Sequence, residues 1–128
     1  MKNFNLILLV LVTVFSSCTA QNATEGGNIS PEAFKKKMSE SNIILLDVRT
    51  AGEVAQGKIP GSINIDYNGS QFDSKSSALD KSKTILVYCA VGGRSGRAMD
   101  HLTKQGYTVY NLNGGMNAWN SRGFEIIK

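Results

Sequence analysis

A cysteine followed by a glycine-containing loop is the part of this sequence best suited to chemistry. Cys89 comes directly after the apolar run 84–88, and the residues after it end the strand and open a helix. The amides of such a loop can converge on one point, where the helix dipole adds positive potential. A thiol held there loses its proton more easily and becomes nucleophilic. The pattern predicts a nucleophile at Cys89 and an anion-binding loop of Ala90, Val91, Gly92, Gly93, Arg94 and Ser95. An inert strand-end cysteine is the alternative.

The elements around this loop alternate between strands and helices. Ser30 is placed to cap a first helix that has Pro31 in its first turn and runs to about Ser39. The apolar runs 43–48 and 84–88 are too short for helices and predict strands buried on both faces, as in a parallel sheet. Together they predict an α/β layer fold. The further expected elements are strands 63–65, 109–112 and 124–127, a helical turn 50–55, and helices 71–79, 95–105 and 116–120.

Four stretches resemble the motifs of rhodanese domains, in the right order along the chain. They are Cys89-x-x-Gly92-x-Arg94-Ser95, Leu46-Asp47-Val48-Arg49 with Glu53, Gly57-Lys58-Ile59-Pro60-Gly61-Ser62, and Leu112-x-Gly114-Gly115-Met116-x-Ala118-Trp119. The resemblance covers residues 28–128 and implies a rhodanese-like, five-stranded, mainly parallel sheet with helices on both faces. It departs from the family at Lys58, where histidine is usual, and at Ala90, where several thiosulfate-using members carry a charged or polar residue.

The resemblance implies a sulfurtransferase in which Cys89 is the catalytic nucleophile and carries sulfur as a persulfide. The donor would be thiosulfate or a persulfide, the acceptor cyanide or a thiol, and no cofactor is expected. Four residues separate Cys89 from Arg94, whereas cysteine phosphatases need five, so the spacing favours sulfur transfer. A persulfide relay or binding module that loads once and waits for a protein acceptor remains the main alternative.

The remaining polar candidates are interpreted as supporting or surface residues. Asp47 and Arg49, at the end of a neighbouring strand, are expected to support the loop, and Arg49 is spaced to pair with Glu53 four residues later. His101 is expected at the surface or an edge. No cysteine and histidine cluster has the spacing of a metal site, and no dinucleotide fingerprint occurs. The net charge is +4, and the basic residues are scattered apart from Lys35-Lys36-Lys37, a run without interleaved aromatic residues, which argues against a nucleic-acid partner.

The N-terminus has the pattern of an export signal. Lys2 precedes the apolar run 6–15, which is too short to span a bilayer, and Ser16, Ser17 and Cys18 follow. This order resembles a bacterial lipobox, with Phe15 where leucine is usual. It predicts a signal peptide at residues 1–17, lipidation of Cys18, a tether to residue 27, and a domain at 28–128. The protein would then be held at the cell envelope, at the outer membrane or the periplasmic face. A plain signal peptide is the alternative.

Overall fold

The computed structural model describes residues 25–128. The signal peptide, Cys18 and most of the predicted tether lie outside the described residues. No helix in the described part of the chain is long and apolar enough to cross a membrane. The elements in chain order are β1 (Gly27–Ile29), α1 (Pro31–Met38), β2 (Ile43–Asp47), α2 (Ala51–Ala55), β3 (Ile63–Asn64), α3 (Phe72–Ser77), β4 (Thr84–Tyr88), α4 (Gly93–Lys104), β5 (Val109–Leu112) and α5 (Gly115–Ser121).

The five strands form one sheet in the order β1-β5-β4-β2-β3, and every neighbouring pair is parallel. The expected α/β fold with a five-stranded parallel sheet is confirmed. Because parallel strands end at the same edge, the residues that follow β2, β4 and β5 come together there. Cys89 follows β4, in the centre of the sheet, so its loop is flanked by elements on both sides.

Helices cover both faces of the sheet and each face has its own apolar core. On one face Phe34 of α1 lies edge-on to Trp119 of α5, with ring centres 6.3 Å apart, above Leu45 and Leu86. On the other face α3 and α4 pack on the alternate strand residues through Phe72, Ala98 and Leu102. Residues buried on both faces explain why β2 and β4 are continuous apolar runs rather than alternating ones.

The ends of the domain differ from the sequence prediction. Gly27 to Ile29, predicted as the end of the tether and the start of the domain, form an edge strand that pairs with Tyr110 to Leu112 of β5. This short polar segment has no strand pattern of its own, and only the partner strand makes it one. The predicted strand at 124–127 is wrong. That segment makes one antiparallel bridge, between Ile127 and Lys58.

The C-terminal segment is instead held against α5. The ring of Phe124 lies edge-on to that of Trp119, with centres 4.9 Å apart. The Trp119 indole N–H donates to the carbonyl of Glu125 at 3.0 Å. Side-chain packing and one indole hydrogen bond therefore hold this segment in place, where pairing with a strand was expected.

Candidate active site

Cys89 lies at the carboxyl end of β4, with its sulfur inside the loop that leads into α4. The residue has no exposed surface. Its Sγ accepts hydrogen bonds from the backbone N–H of Gly92 at 3.0 Å and from the Ser95 hydroxyl at 3.2 Å. The thiol thus points into the loop, as predicted, although packed residues cover it from solvent.

These contacts lower the pKa of the Cys89 thiol. Burial by itself raises that pKa, because it penalises the thiolate. Hydrogen bonds from the Ser95 hydroxyl and from the backbone amides of Ser95, Gly92 and Val91 outweigh burial, and the net shift is downward from 9.0. The loop therefore stabilises a negative charge on sulfur chiefly with hydrogen-bond donors.

The beginning of α5 holds the loop in this shape. The backbone N–H groups of Met116 and Asn117 donate to the carbonyls of Cys89 and Ala90, at 2.9 and 3.1 Å. With these two carbonyls turned towards α5, the amides that follow are free to face the sulfur. Ala90, predicted as an anion-binding residue, thus uses its carbonyl to anchor the loop.

Gly115 makes this close approach possible and was missed as a site residue. A Cβ on Gly115 would lie 2.5 Å from the carbonyl oxygen of Cys89 and 2.6 Å from the carbonyl carbon of Ala90. Its φ of +56° also favours glycine. The signal was present in Gly114-Gly115, which sequence reasoning assigned only to a tight turn.

The rest of the loop combines a left-handed glycine with residues exposed to solvent. Gly92 caps α4 with a φ of +102°, so glycine is needed where the chain turns back on the thiol. Val91 is 63% exposed and Gly93 is exposed. The outer surface of the loop therefore meets solvent while its inner amides meet sulfur.

Arg94 forms an ion pair that sequence reasoning did not predict. Its two terminal nitrogens donate to the two carboxylate oxygens of Glu53, each at 2.7 Å. The expected ion pair of Arg49 with Glu53 is wrong, because Arg49 gives only a 3.4 Å hydrogen bond to the Glu53 backbone carbonyl. Glu53 follows β2, which lies beside β4, so neighbouring strands bring the two together across 41 residues of chain.

Asp47 and Arg49 form a separate buried pair. The Arg49 guanidinium donates to Asp47 Oδ2 at 2.7 Å and to the carbonyl of Gly57 at 2.8 Å. It also lies 5.6 Å from the ring centre of Tyr88, the residue before Cys89. The pair thus fixes the end of β2 and the segment after α2. It reaches the loop through Tyr88 and, by the 3.4 Å hydrogen bond, through Glu53, a more indirect support than predicted.

Lys58 and His101 contact residues other than Cys89. Lys58 pairs through its backbone with Ile127, and its ammonium donates to the carbonyl of Ser62 at 3.4 Å. His101 is partly exposed and lies 2.9 Å from Asp73, which agrees with a residue at an edge. In the region 25–128 no three His, Cys, Asp or Glu side chains are grouped to hold a metal ion.

Comparisons with known proteins match most of this domain. The family model for the Rhodanese-like domain matches residues 30–122. A sulfurtransferase of Allochromatium vinosum is 33% identical over 101 residues, covering 77% of this chain and 92% of that protein. A putative sulfurtransferase of Bacillus subtilis is 37% identical over 92 residues, covering 71% and 87%. The crystal structure of a rhodanese-related protein from Thermoplasma volcanium superposes with a TM-score of 0.71 at 29% identity, covering 78% and 96%.

Proposed function

The chain belongs to the rhodanese-like domain family, and on that premise we propose that it is a sulfurtransferase. Cys89 takes sulfane sulfur from thiosulfate or a persulfide, holds it as a persulfide, and passes it to cyanide or a thiol. The observation that carries this proposal is the position of Cys89 Sγ, on which the Gly92 amide and the Ser95 hydroxyl both converge. Relatives named sulfurtransferases support the same reaction class.

The reaction proceeds in two balanced steps. In the first, the Cys89 thiolate attacks the outer sulfur of thiosulfate, a new S–S bond forms, and the donor's S–S bond breaks with both electrons leaving on sulfite. In the second, a thiolate or cyanide attacks the outer sulfur of the Cys89 persulfide and restores the thiolate. This is nucleophilic catalysis with a ping-pong order. The loop amides and the Ser95 hydroxyl stabilise the anion at both stages.

The geometry favours sulfur over phosphate chemistry. A phosphatase loop needs its arginine free to bind two phosphoryl oxygens. Here Arg94 already gives both terminal nitrogens to Glu53, and the Cys89 loop is one residue shorter than a phosphatase requires. The donors left facing the sulfur suit one anionic sulfur atom.

A relay role is the second candidate, and the burial of Cys89 favours it. Because Cys89 is buried, we expect the loop to open before a donor reaches the sulfur. A protein partner that presses on the exposed Val91 could provide that opening. Steady-state turnover with thiosulfate and cyanide separates the two roles, since a relay loads once and stalls without its acceptor.

The direct test is sulfur loading. The protein is incubated with thiosulfate or glutathione persulfide and its intact mass is measured under non-reducing conditions. We expect the mass of one added sulfur atom on the wild type and none on Cys89→Ser. A wild type that gains no sulfur from either donor, or a gain that survives in Cys89→Ser, rules the proposal out.

We also propose that residues 1–17 are a signal peptide and that Cys18 is lipidated, so that the domain is tethered at the cell envelope. The order of Lys2, the apolar run and Cys18 supports this. The test is labelling with a radioactive fatty acid in cells. The label should be lost in Cys18→Ala and kept in Cys89→Ala. Label retained in Cys18→Ala contradicts lipidation at that residue.

A further inference from the structure

The ion pair beside the thiol sets the charge that a sulfur donor meets. Arg94 and Glu53 lie face to face with two hydrogen bonds of 2.7 Å. Both side chains are partly buried, Arg94 at 21% exposed and Glu53 at 35%. The positive charge that the loop sequence supplies is therefore matched within the site by a carboxylate.

Glu53 is held in this position from its own side as well. Its carboxylate accepts hydrogen bonds from the backbone N–H and the hydroxyl of Thr50, each at 3.0 Å, which complete a capping box on α2. The Arg94 guanidinium and these Thr50 contacts hold the pKa of Glu53 at about 2 against some desolvation. The carboxylate is thus ionised at every pH at which the thiol could react.

The charge of Arg94 also acts on Cys89. Pairing with Glu53 raises the pKa of Arg94, and the negative charges of the Cys89 thiolate and Asp66 act in the same direction. Because the Glu53 carboxylate lies 2.7 Å from the Arg94 guanidinium, its electric field opposes that of the guanidinium wherever the latter acts. An incoming anion consequently meets a guanidinium whose field is largely cancelled.

We infer that Glu53 is a specificity-determining residue of this site, which selects thiol persulfides over the dianion thiosulfate by neutralising Arg94. The inference rests on the proposed sulfurtransferase function and narrows its donor. A thiol persulfide reacts as an electrophile in its protonated form, R–S–SH, which carries no charge at its reacting end: the Cys89 thiolate attacks the terminal sulfur, a new S–S bond forms, and the thiolate R–S⁻ leaves with the electrons of the broken S–S bond. Thiosulfate instead brings two negative charges to the site and releases sulfite, so it depends more on an unmatched cation.

Glu53→Gln tests this with little change of shape. Glutamine can still accept a hydrogen bond from Arg94, but it removes the carboxylate that lies in contact with the guanidinium. Single-turnover rates of sulfur loading on Cys89 are measured with thiosulfate and with glutathione persulfide, by intact mass of the full chain. We expect the ratio of the thiosulfate rate to the persulfide rate to rise about three- to tenfold. We also expect the thiosulfate rate of Glu53→Gln to fall more steeply with added salt than that of the wild type.

Thr50→Ala is the matched control. It removes the hydroxyl that caps α2, while the Thr50 backbone N–H and both terminal nitrogens of Arg94 still hold the Glu53 carboxylate, so its ratio should stay at the wild-type value. Arg97, exposed one turn further along α4, is common to all variants and cancels in the comparison. A ratio that is unchanged or lower in Glu53→Gln, or that rises equally in Thr50→Ala, overturns the inference while sulfur loading still stands. A wild type that loads from neither donor overturns both.

Discussion

Gly115 and Cys89 approach so closely that no side chain fits between the α5 N-terminus and the thiol-bearing residue. A Cβ on Gly115 would lie 2.5 Å from the carbonyl oxygen of Cys89. The next residue, Met116, donates its N–H to that same oxygen at 2.9 Å. The shape of the Cys89 loop therefore depends on a glycine 26 residues away in the chain.

Gly115→Ala is expected to damage both stability and sulfur loading. The new methyl group must displace the backbone of Cys89 and Ala90, and alanine is strained at a φ of +56°. Overpacking together with backbone strain should cost about 3 kcal/mol or more in free energy of unfolding, measured with urea. Gly123→Ala is the control, because its φ is +67° and its Cβ would meet nothing within 4 Å. It should cost only about 1–2 kcal/mol and leave loading intact. Equal losses in the two variants would contradict the steric account.

Ser95→Ala is expected to make the thiol less reactive at neutral pH. The substitution removes the hydroxyl that donates to Cys89 Sγ at 3.2 Å. Because that hydrogen bond lowers the pKa of the thiol, its loss moves the pKa upward and reduces the thiolate fraction. Alkylation by iodoacetamide at pH 7 should slow by about tenfold or more, because a hydrogen bond to a charged group contributes about 1.5–3 kcal/mol. The rate-against-pH curve should shift to higher pH.

The control for this variant is Ser76→Ala, which removes another buried serine whose hydroxyl bonds to Asp73 and Gln105, away from the thiol. Its alkylation curve should coincide with that of the wild type. A Ser95→Ala curve that also coincides would show that the amides alone set the reactivity of Cys89.

The Glu53 carboxylate is expected to make the free energy of unfolding depend on pH. Its pKa is about 2 in the folded protein against 4.5 for the free group, mainly because of the Arg94 hydrogen bonds. A lowered folded pKa means that the stability it contributes is complete above pH 4.5 and is lost as the pH falls from 4.5 towards 2. Since the side chain is 35% exposed, we expect about 1 kcal/mol. Urea unfolding at several pH values should show wild type losing that much more than Glu53→Gln across this window. Parallel curves for the two proteins would mean that the ion pair adds no stability.

The buried pair of Asp47 and Arg49 should give a non-additive mutant cycle. Asp47→Leu leaves the Arg49 guanidinium, 7% exposed, without a counter-charge, and should cost about 3–5 kcal/mol in unfolding free energy. The double variant with Arg49→Met removes both charges and should be more stable than Asp47→Leu alone. Urea unfolding of the wild type, both single variants and the double variant measures the coupling. A double variant with the summed loss would indicate that the two charges do not interact.

Local pattern was enough to predict the central strands and the position of the nucleophile. The run 84–88 is apolar at every position that the sheet buries, and the run 43–47 is so except at Asp47. That continuity is a property of the segments themselves. Cys89 comes between such a strand and a glycine-containing loop, which places it where the carboxyl ends of the strands meet. Ser30 likewise caps α1 by donor and acceptor spacing, accepting from the Ala33 N–H at 3.1 Å.

Tertiary structure decided the partners across the site. Arg49 is four residues from Glu53, yet Glu53 pairs with Arg94, because β2 and β4 are neighbours and Asp47 already occupies Arg49. The strand at Gly27 exists because β5 pairs with it, and the expected strand at 124–127 is absent because, within residues 25–128, this segment makes only the single bridge between Ile127 and Lys58. Ion pairing and strand pairing depend on which segments meet in space, so residue spacing alone could place Cys89 but could not predict the charge of its surroundings.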